Sequence, residues 1–168
     1  LEIMKKNNIL AFQYNHPKFL TEHKLNFQIY YEKEYTKEDL FKYFDIADDS
    51  IIRTSEQIWS GSMFFKNNDE TRKLLKQWLD VCNINYLIDD SPSKVKNDEK
   101  FVEHRHDQSV FSILCKLNNI ICLSASECEW AEDKNGRFWD HLESYPIHAK
   151  RDKKLNFLRR FFLRQSKN

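Results

Sequence analysis

The residues with the most chemistry in the least space are Glu103-His104-Arg105-His106-Asp107-Gln108-Ser109, which run straight into the apolar series Val110, Phe111, Ile113 and Leu114. That change of character predicts a helix whose N-terminus carries the polar cluster. Such an end offers unpaired backbone N–H groups and partial positive charge, and suits phosphates, carboxylates and sugar hydroxyls. Two histidines at i and i+2, flanked by Glu103 and Asp107, have the chemistry for metal ligation, phosphate positioning or proton transfer. The pattern is neither H-E-x-x-H nor a Cys/His zinc spacing, which makes a metal-dependent hydrolase the weaker enzyme reading. The plain alternative is a helix cap, with Asp107 accepting backbone N–H bonds and His104 and Arg105 on the surface. A cap, however, needs one residue and not seven.

Several elements must position this run. Residues 9 to 14 read as a buried strand, stopped by the turn signal Asn15-His16-Pro17. Thr36 is the expected N-cap of a helix bearing Leu40, Phe41 and Phe44 on one face. Residues 57 to 65 read as a second strand, in which Gly61 marks a bulge or close backbone approach. The clearest helix runs from about 68 to 83, with Leu74, Leu75, Trp78, Leu79 and Cys82 recurring at helical spacing. A polar loop whose composition allows mobility is expected over 89 to 100, then a helix over 107 to 117 and a strand over 120 to 123. This alternation, with strands that lack clean polar alternation, predicts an α/β domain with a largely covered sheet. Open sheets of that kind hold ligands at strand ends; the loop before 103 and the strand end near Phe65 are the expected rim.

Composition sets the outer limits. The chain has 168 residues, 40% hydrophobic and 32% charged, with net charge +1, which argues against disorder and against a wholly nucleic-acid-binding chain. No window reaches the roughly 18 apolar residues of a membrane span, and no signal-peptide pattern opens the sequence, so the default compartment is the cytoplasm. Cys82, Cys115, Cys122 and Cys128 never form C-x-x-C and read as reduced structural thiols. Leu1 in place of methionine, with apolar residues from the start, suggests a fragment whose upstream half is missing.

Residues 103 to 112 resemble the E-H-R-H-D-Q-S-x-x-S stretch of a glycosyltransferase family with the nucleotide-diphospho-sugar transferase, or GT-A, fold. Glu32-Lys33, Thr36-Lys37-x-Asp39-Leu40, Gln57, Gly61, Phe64-Phe65-Lys66-Asn67 and Trp78-Leu79-x-x-Cys82 precede it in the order of that family. Tyr145-Pro146-Ile147-His148-Ala149-Lys150-Arg151 resembles its closing motif. The resemblance covers most of residues 1 to 151 and implies the C-terminal portion of a GT-A-like domain, a mixed sheet flanked by helices. Residues 152 to 168 are expected to form a basic amphipathic helix beyond it.

The implied activity is transfer of a sugar from a nucleotide-sugar donor to a hydroxyl of a glycan or lipid-linked acceptor, with a divalent metal, Mn²⁺ or Mg²⁺, at the diphosphate. Asp107-Gln108 is similar to the Asp-Gln pair that retaining enzymes such as the bacterial lipopolysaccharide galactosyltransferases place beside the donor sugar. Asp107 is then a sugar or acceptor ligand and Gln108 a neighbour of the anomeric carbon; an inverting enzyme would need Asp107 or Glu103 as general base. Glu103, His104, Arg105, His106, Ser109, Gln57, Gly61 and Ser62 are the implied substrate-binding residues, with Lys150 and Arg151 at the pyrophosphate and His148 at the metal. Lys33 and Lys37 either touch phosphate or solvate a loop.

One departure is the missing Asp-x-Asp metal motif: Asp48-Asp49 and Asp89-Asp90 stand in polar stretches, not after buried strands, so the remaining metal ligands are expected upstream. A noncatalytic remnant or interaction module of the same fold is the alternative. The tail, with Lys153, Lys154, Arg159, Arg160, Arg164 and Lys167 beside Leu155, Leu158, Phe161 and Phe162, either packs on the domain or docks peripherally on an anionic membrane. Nucleic acid is not an expected partner, because the basic charge is confined to that tail.

Overall fold

The computed structural model describes residues 2–15, 28–133 and 136–149; Lys150, Arg151, the basic tail and most of the expected first turn lie outside them. The helices are α1 (Glu2–Lys6), α2 (Glu32–Tyr35), α3 (Glu38–Tyr43), α4 (Ile51–Thr54), α5 (Asp69–Cys82), α6 (Asn85–Ile88) and α7 (His106–Leu117). The strands are β1 (Ile9–Gln13), β2 (Ile58–Phe65), β3 (Cys122–Ser124), β4 (Ala131–Asp133) and β5 (Gly136–Phe138), the last two forming a small hairpin.

A mixed sheet of order β2-β1-β3 carries the fold, in agreement with the expected α/β class. β1 is central and its first four residues are buried, because it has neighbours on both edges and cover on both faces. β2 is antiparallel to it, with Ile9 opposite Phe65 and Gln13 opposite Ile58. β3 is parallel, with Gln13 opposite Ser124. The Phe65 end of β2 therefore lies at the start of β1, which corrects the expectation that it forms the ligand rim. The carboxyl ends of β1 and β3 point to the opposite end.

Helices α5 and α7 cover one face. Leu74, Phe111 and Cys115 pack there on Ile9, Ala11 and Ile58. Asn68 starts α5 by accepting the N–H of Thr71, as the sequence pattern predicts. Leu79 is 61% exposed, however; the buried stripe passes through Thr71, Leu74 and Val81 instead. On the other face Phe12 and Tyr14 pack with Ala125 and Cys128. Burial pushes the Cys122 thiol up to about 11 and those of Cys115 and Cys128 further, which suits inert packing residues.

The deepest polar feature joins three elements. The wholly buried Glu32 accepts hydrogen bonds from Thr36 Oγ1 (2.7 Å) and Gln57 Nε2 (3.2 Å), from the Ser112 hydroxyl, and from Lys116 Nζ (2.6 Å). Ser112 in turn accepts the N–H of Ile58 at 2.6 Å. Thr36 thus spends its hydroxyl on Glu32, and the N-cap of α3 is Lys37, without a side-chain cap. This corrects the expected threonine cap: a buried carboxylate is a stronger claimant on the hydroxyl than a solvated helix end.

The polar stretch 89 to 100 is tied down. Asp39 accepts the N–H groups of Lys94 and Val95, Asn97 accepts that of Glu38, and Lys37, itself buried, reaches Asp89 and the carbonyl of Tyr86 at 3.2 Å. The expected mobile loop is therefore an anchored one, and Lys37 neither faces solvent nor is placed to touch phosphate. Among the described residues no helix is long and apolar enough to cross a membrane.

Two substitutions probe this framework. Glu32→Ala strands the Lys116 ammonium and three polar partners in the interior and should cost about 3–5 kcal/mol, read as the shift in urea unfolding. Gly61→Ala should cost about 1–3 kcal/mol, because a Cβ at 61 collides with the indole of Trp59 two residues back on the same strand. In a Trp59→Ala background most of that cost should vanish.

Candidate functional site

The run at 103 to 109 sits at the end of the sheet to which β1 and β3 point. The chain passes from the N-terminus of α7, along the face of the sheet, into parallel β3, so α7 must begin at the carboxyl end of β1. Trp78, near the end of α5, fixes this start by donating its indole N–H to the carbonyl of Asp107 at 2.9 Å.

The backbone then sorts the run into two halves. Arg105 stands at the N-cap without a capping bond, and His106 has φ +51°, a left-handed conformation that costs a histidine little but turns the chain sharply. His104, Gln108 and Ser109 face inward and are 5%, 6% and 0% exposed. Glu103, His106 and Asp107 are exposed, and Arg105 is half-buried.

The inward half is fully engaged. His104 accepts the N–H of Lys37 on Nδ1 (3.2 Å) and holds the carbonyl of Leu87 at 2.8 Å from Nε2, which fixes the Nε2–H tautomer. Gln108 donates to the side-chain oxygen of Gln57 at 2.9 Å. Gln57 faces Glu32, Thr36, Ser109 and the carbonyl of Tyr35 with its own amide nitrogen, and Ser109 donates to that same carbonyl at 2.8 Å. Gln57, His104, Gln108 and Ser109 are thus brought together with the run, but as its anchors. The expected place of Gln108 beside an anomeric carbon is corrected to an interior one, where its amide holds α7 to β2.

The outward half faces away from these anchors. Arg105 pairs with Glu103 at 3.1 Å and lays its guanidinium over the ring of Tyr30, 4.4 Å from the centroid. His106 Nε2 meets the carboxylate of Asp90 at 2.9 Å. Tyr30 stacks edge-on with Tyr14 (4.7 Å) and Tyr35 (4.8 Å), and the phenol of buried Tyr14 is hydrogen-bonded to Glu129. Desolvation, and then the Glu129 carboxylate, push the Tyr14 phenol up, so it stays a proton donor.

That Tyr14, Tyr30 and Glu129 gather beside the run was not legible in the sequence. Tyr14 reads as the last residue of a strand, and no spacing connects Tyr30 or Glu129 to the run; only parallel β3 returns Glu129 to the end of β1.

Gly61 and Ser62 fall elsewhere. Between the Leu10–Phe64 and Phe12–Trp59 pairs β2 carries four residues, Ser60 to Met63, against Ala11 alone, which is the bulge that glycine signalled. The space above Gly61 is filled by the Trp59 ring, so it is its own strand's indole, and not a ligand, that excludes a side chain there. His148 is exposed, and its Nε2 is held by the carbonyls of Leu142 (2.7 Å) and Tyr145 (3.0 Å). Among the described residues no group of three His, Cys, Asp or Glu could hold a metal, so these residues do not by themselves fit the implied cation.

His104 makes the anchoring pH-dependent. Burial lowers its pKa to about 4 from 6.5, so the unfolded chain binds the extra proton first as pH falls. The stability it contributes is complete above about pH 6.5 and is lost as pH falls toward 4. Urea unfolding at pH 7.5 and 4.5 should differ by about 2–3 kcal/mol more in the wild type than in His104→Gln. An equal difference in both would remove this role.

No family model matches the chain, and no curated protein or solved structure matches it closely enough to carry weight.

Proposed function

We propose that the chain is part of a GT-A-like glycosyltransferase that moves a sugar from a nucleotide-sugar donor to an acceptor hydroxyl. The observation that carries this reading is the division of the run at 103 to 109. Its inward half is spent on holding α7 to β2 and α3, while Glu103, Arg105, His106 and Asp107 are held outward at the carboxyl end of β1 and β3. Open α/β sheets bind their ligands at that end, and the resemblance of the same run to a glycosyltransferase motif supplies the substrate class.

The chemistry asked of these residues is modest. A departing nucleotide diphosphate gains negative charge, which the start of α7 and the Arg105 guanidinium stabilise where water is partly excluded. The exposed Asp107 carboxylate orients a sugar or acceptor hydroxyl and steadies positive charge at the anomeric carbon, or accepts the hydroxyl proton in an inverting reaction. Gln108 and Gln57 are positioning residues that act through the start of α7. The divalent metal implied by the resemblance would supply further charge stabilisation at the diphosphate.

The test is release of nucleoside diphosphate and transfer to acceptors by the intact gene product, with and without Mn²⁺ or Mg²⁺. Asp107→Asn should lower turnover by about 10²-fold or more and leave the melting temperature unchanged, since the side chain is exposed. An unchanged rate removes Asp107 from the mechanism. A folded wild-type protein without turnover favours the noncatalytic interaction module.

A further inference from the structure

We infer that His106, oriented by Asp90, is the base that takes the proton from the acceptor hydroxyl. This rests on the sugar-transfer reading above and assigns the proton-accepting step within it, leaving Asp107 to orient the hydroxyl.

Asp90 and His106 meet because the residues beside each of them are held. Asp89 accepts hydrogen bonds from buried Lys37 and from the N–H and hydroxyl of Ser91, so Asp90 stands between two fixed neighbours. His106 lies between the anchored His104 and Asp107, whose carbonyl takes the indole N–H of Trp78. With the backbone of His106 left-handed at φ +51°, its Nε2 lies 2.9 Å from the Asp90 carboxylate. A carboxylate only accepts, so Nε2 carries the hydrogen and the lone pair of the neutral ring lies on Nδ1. Nδ1 has no partner among the described residues, and the side chain is 48% exposed.

An aspartate that fixes the tautomer and offsets the charge of the protonated ring is what lets a histidine serve as a base. Imidazoles also titrate nearer neutral pH than carboxylates do, which suits His106 better than Asp107 or Glu103 to this step. The neighbouring His104 does not oppose the new charge. Its ring, 5.8 Å away between centroids, is kept neutral by burial, which lowers its pKa to about 4. The adjacent cation, Arg105, is paired with Glu103 at 3.1 Å. In the step, Nδ1 removes the O–H proton as the acceptor oxygen bonds to the anomeric carbon. The anomeric C–O bond to phosphate breaks, its electron pair leaves with the nucleoside diphosphate, and the imidazolium returns its proton to water. The product is the inverted anomer.

His106→Gly in the intact gene product tests this, because glycine keeps the left-handed backbone without strain and removes the base alone. The variant should stay folded, lose about 10²-fold or more in kcat, and regain about tenfold of that loss when free imidazole is added. A purely structural role for the histidine would not be rescued in this way. Long-range ¹H–¹⁵N NMR of the histidine rings should show the Nε2–H tautomer of neutral His106 in the wild type. Asp90→Asn, whose amide can donate to Nε2, should shift the hydrogen toward Nδ1 and lower kcat about tenfold or more.

An unchanged rate in His106→Gly, a loss that imidazole does not relieve, or a product that retains the donor's configuration overturns the inference and leaves the glycosyltransferase reading intact. An unchanged tautomer and rate in Asp90→Asn overturn the part given to Asp90. A folded wild-type protein without turnover defeats the glycosyltransferase reading, and this assignment falls with it.

Discussion

A carboxylate with no exposure to water is the constraint on which the rest of the described structure depends. A buried Glu32 side chain is costly unless its oxygens are saturated with donors, and it draws them from four places in the sequence: Thr36, Gln57, Ser112 and Lys116. Those residues belong to the α2–α3 connection, the lead-in to β2, and α7. Meeting the needs of one side chain therefore fixes the mutual position of three elements that hydrophobic packing alone would let slide. Ser112 adds the N–H of Ile58 to the same arrangement, so the first residue of β2 is tied to the middle of α7.

The polar network also explains how the outward residues come to be held firmly. Gln108 and Ser109 extend it to the first turn of α7, and His104 continues it to α6 and α3 through the Leu87 carbonyl and the Lys37 N–H. Arg105, His106 and Asp107 lie between these anchors, with little freedom to wander. Side chains held by neighbours that are themselves locked suit electrostatic work better than residues on an unsupported loop.

Much of the architecture was legible in the sequence. The strands β1 and β2 and the helices α5 and α7 fall close to their expected limits, because apolar spacing and the Asn68 cap are local signals that tertiary contacts did not override. Direction was not legible: nothing local in 57 to 65 says that the strand runs antiparallel to β1, and that alone moved its Phe65 end away from the rim. The polarity of 89 to 100 suggested mobility because the partners that anchor it, Asp39, Glu38 and Lys37, stand more than fifty residues away in the sequence. Thr36 and Gly61 carried the right kind of signal with the wrong recipient, a buried carboxylate in place of a helix end and an indole ring in place of a ligand. The density of polar residues at 103 to 109 was visible in the sequence, whereas which of them turn inward and which outward needed the fold.

That division bears on how change in this region would show itself. The left-handed turn at His106 sends neighbouring residues to opposite destinations, so positions one apart answer to different requirements. Damage at 104, 108 or 109 would surface as protein that is scarce or degraded, whereas damage at the exposed 107 would leave the yield intact and, on the function proposed above, show only as lost activity. A screen scored on yield would see only the first kind, and a short insertion at 106 would present as both.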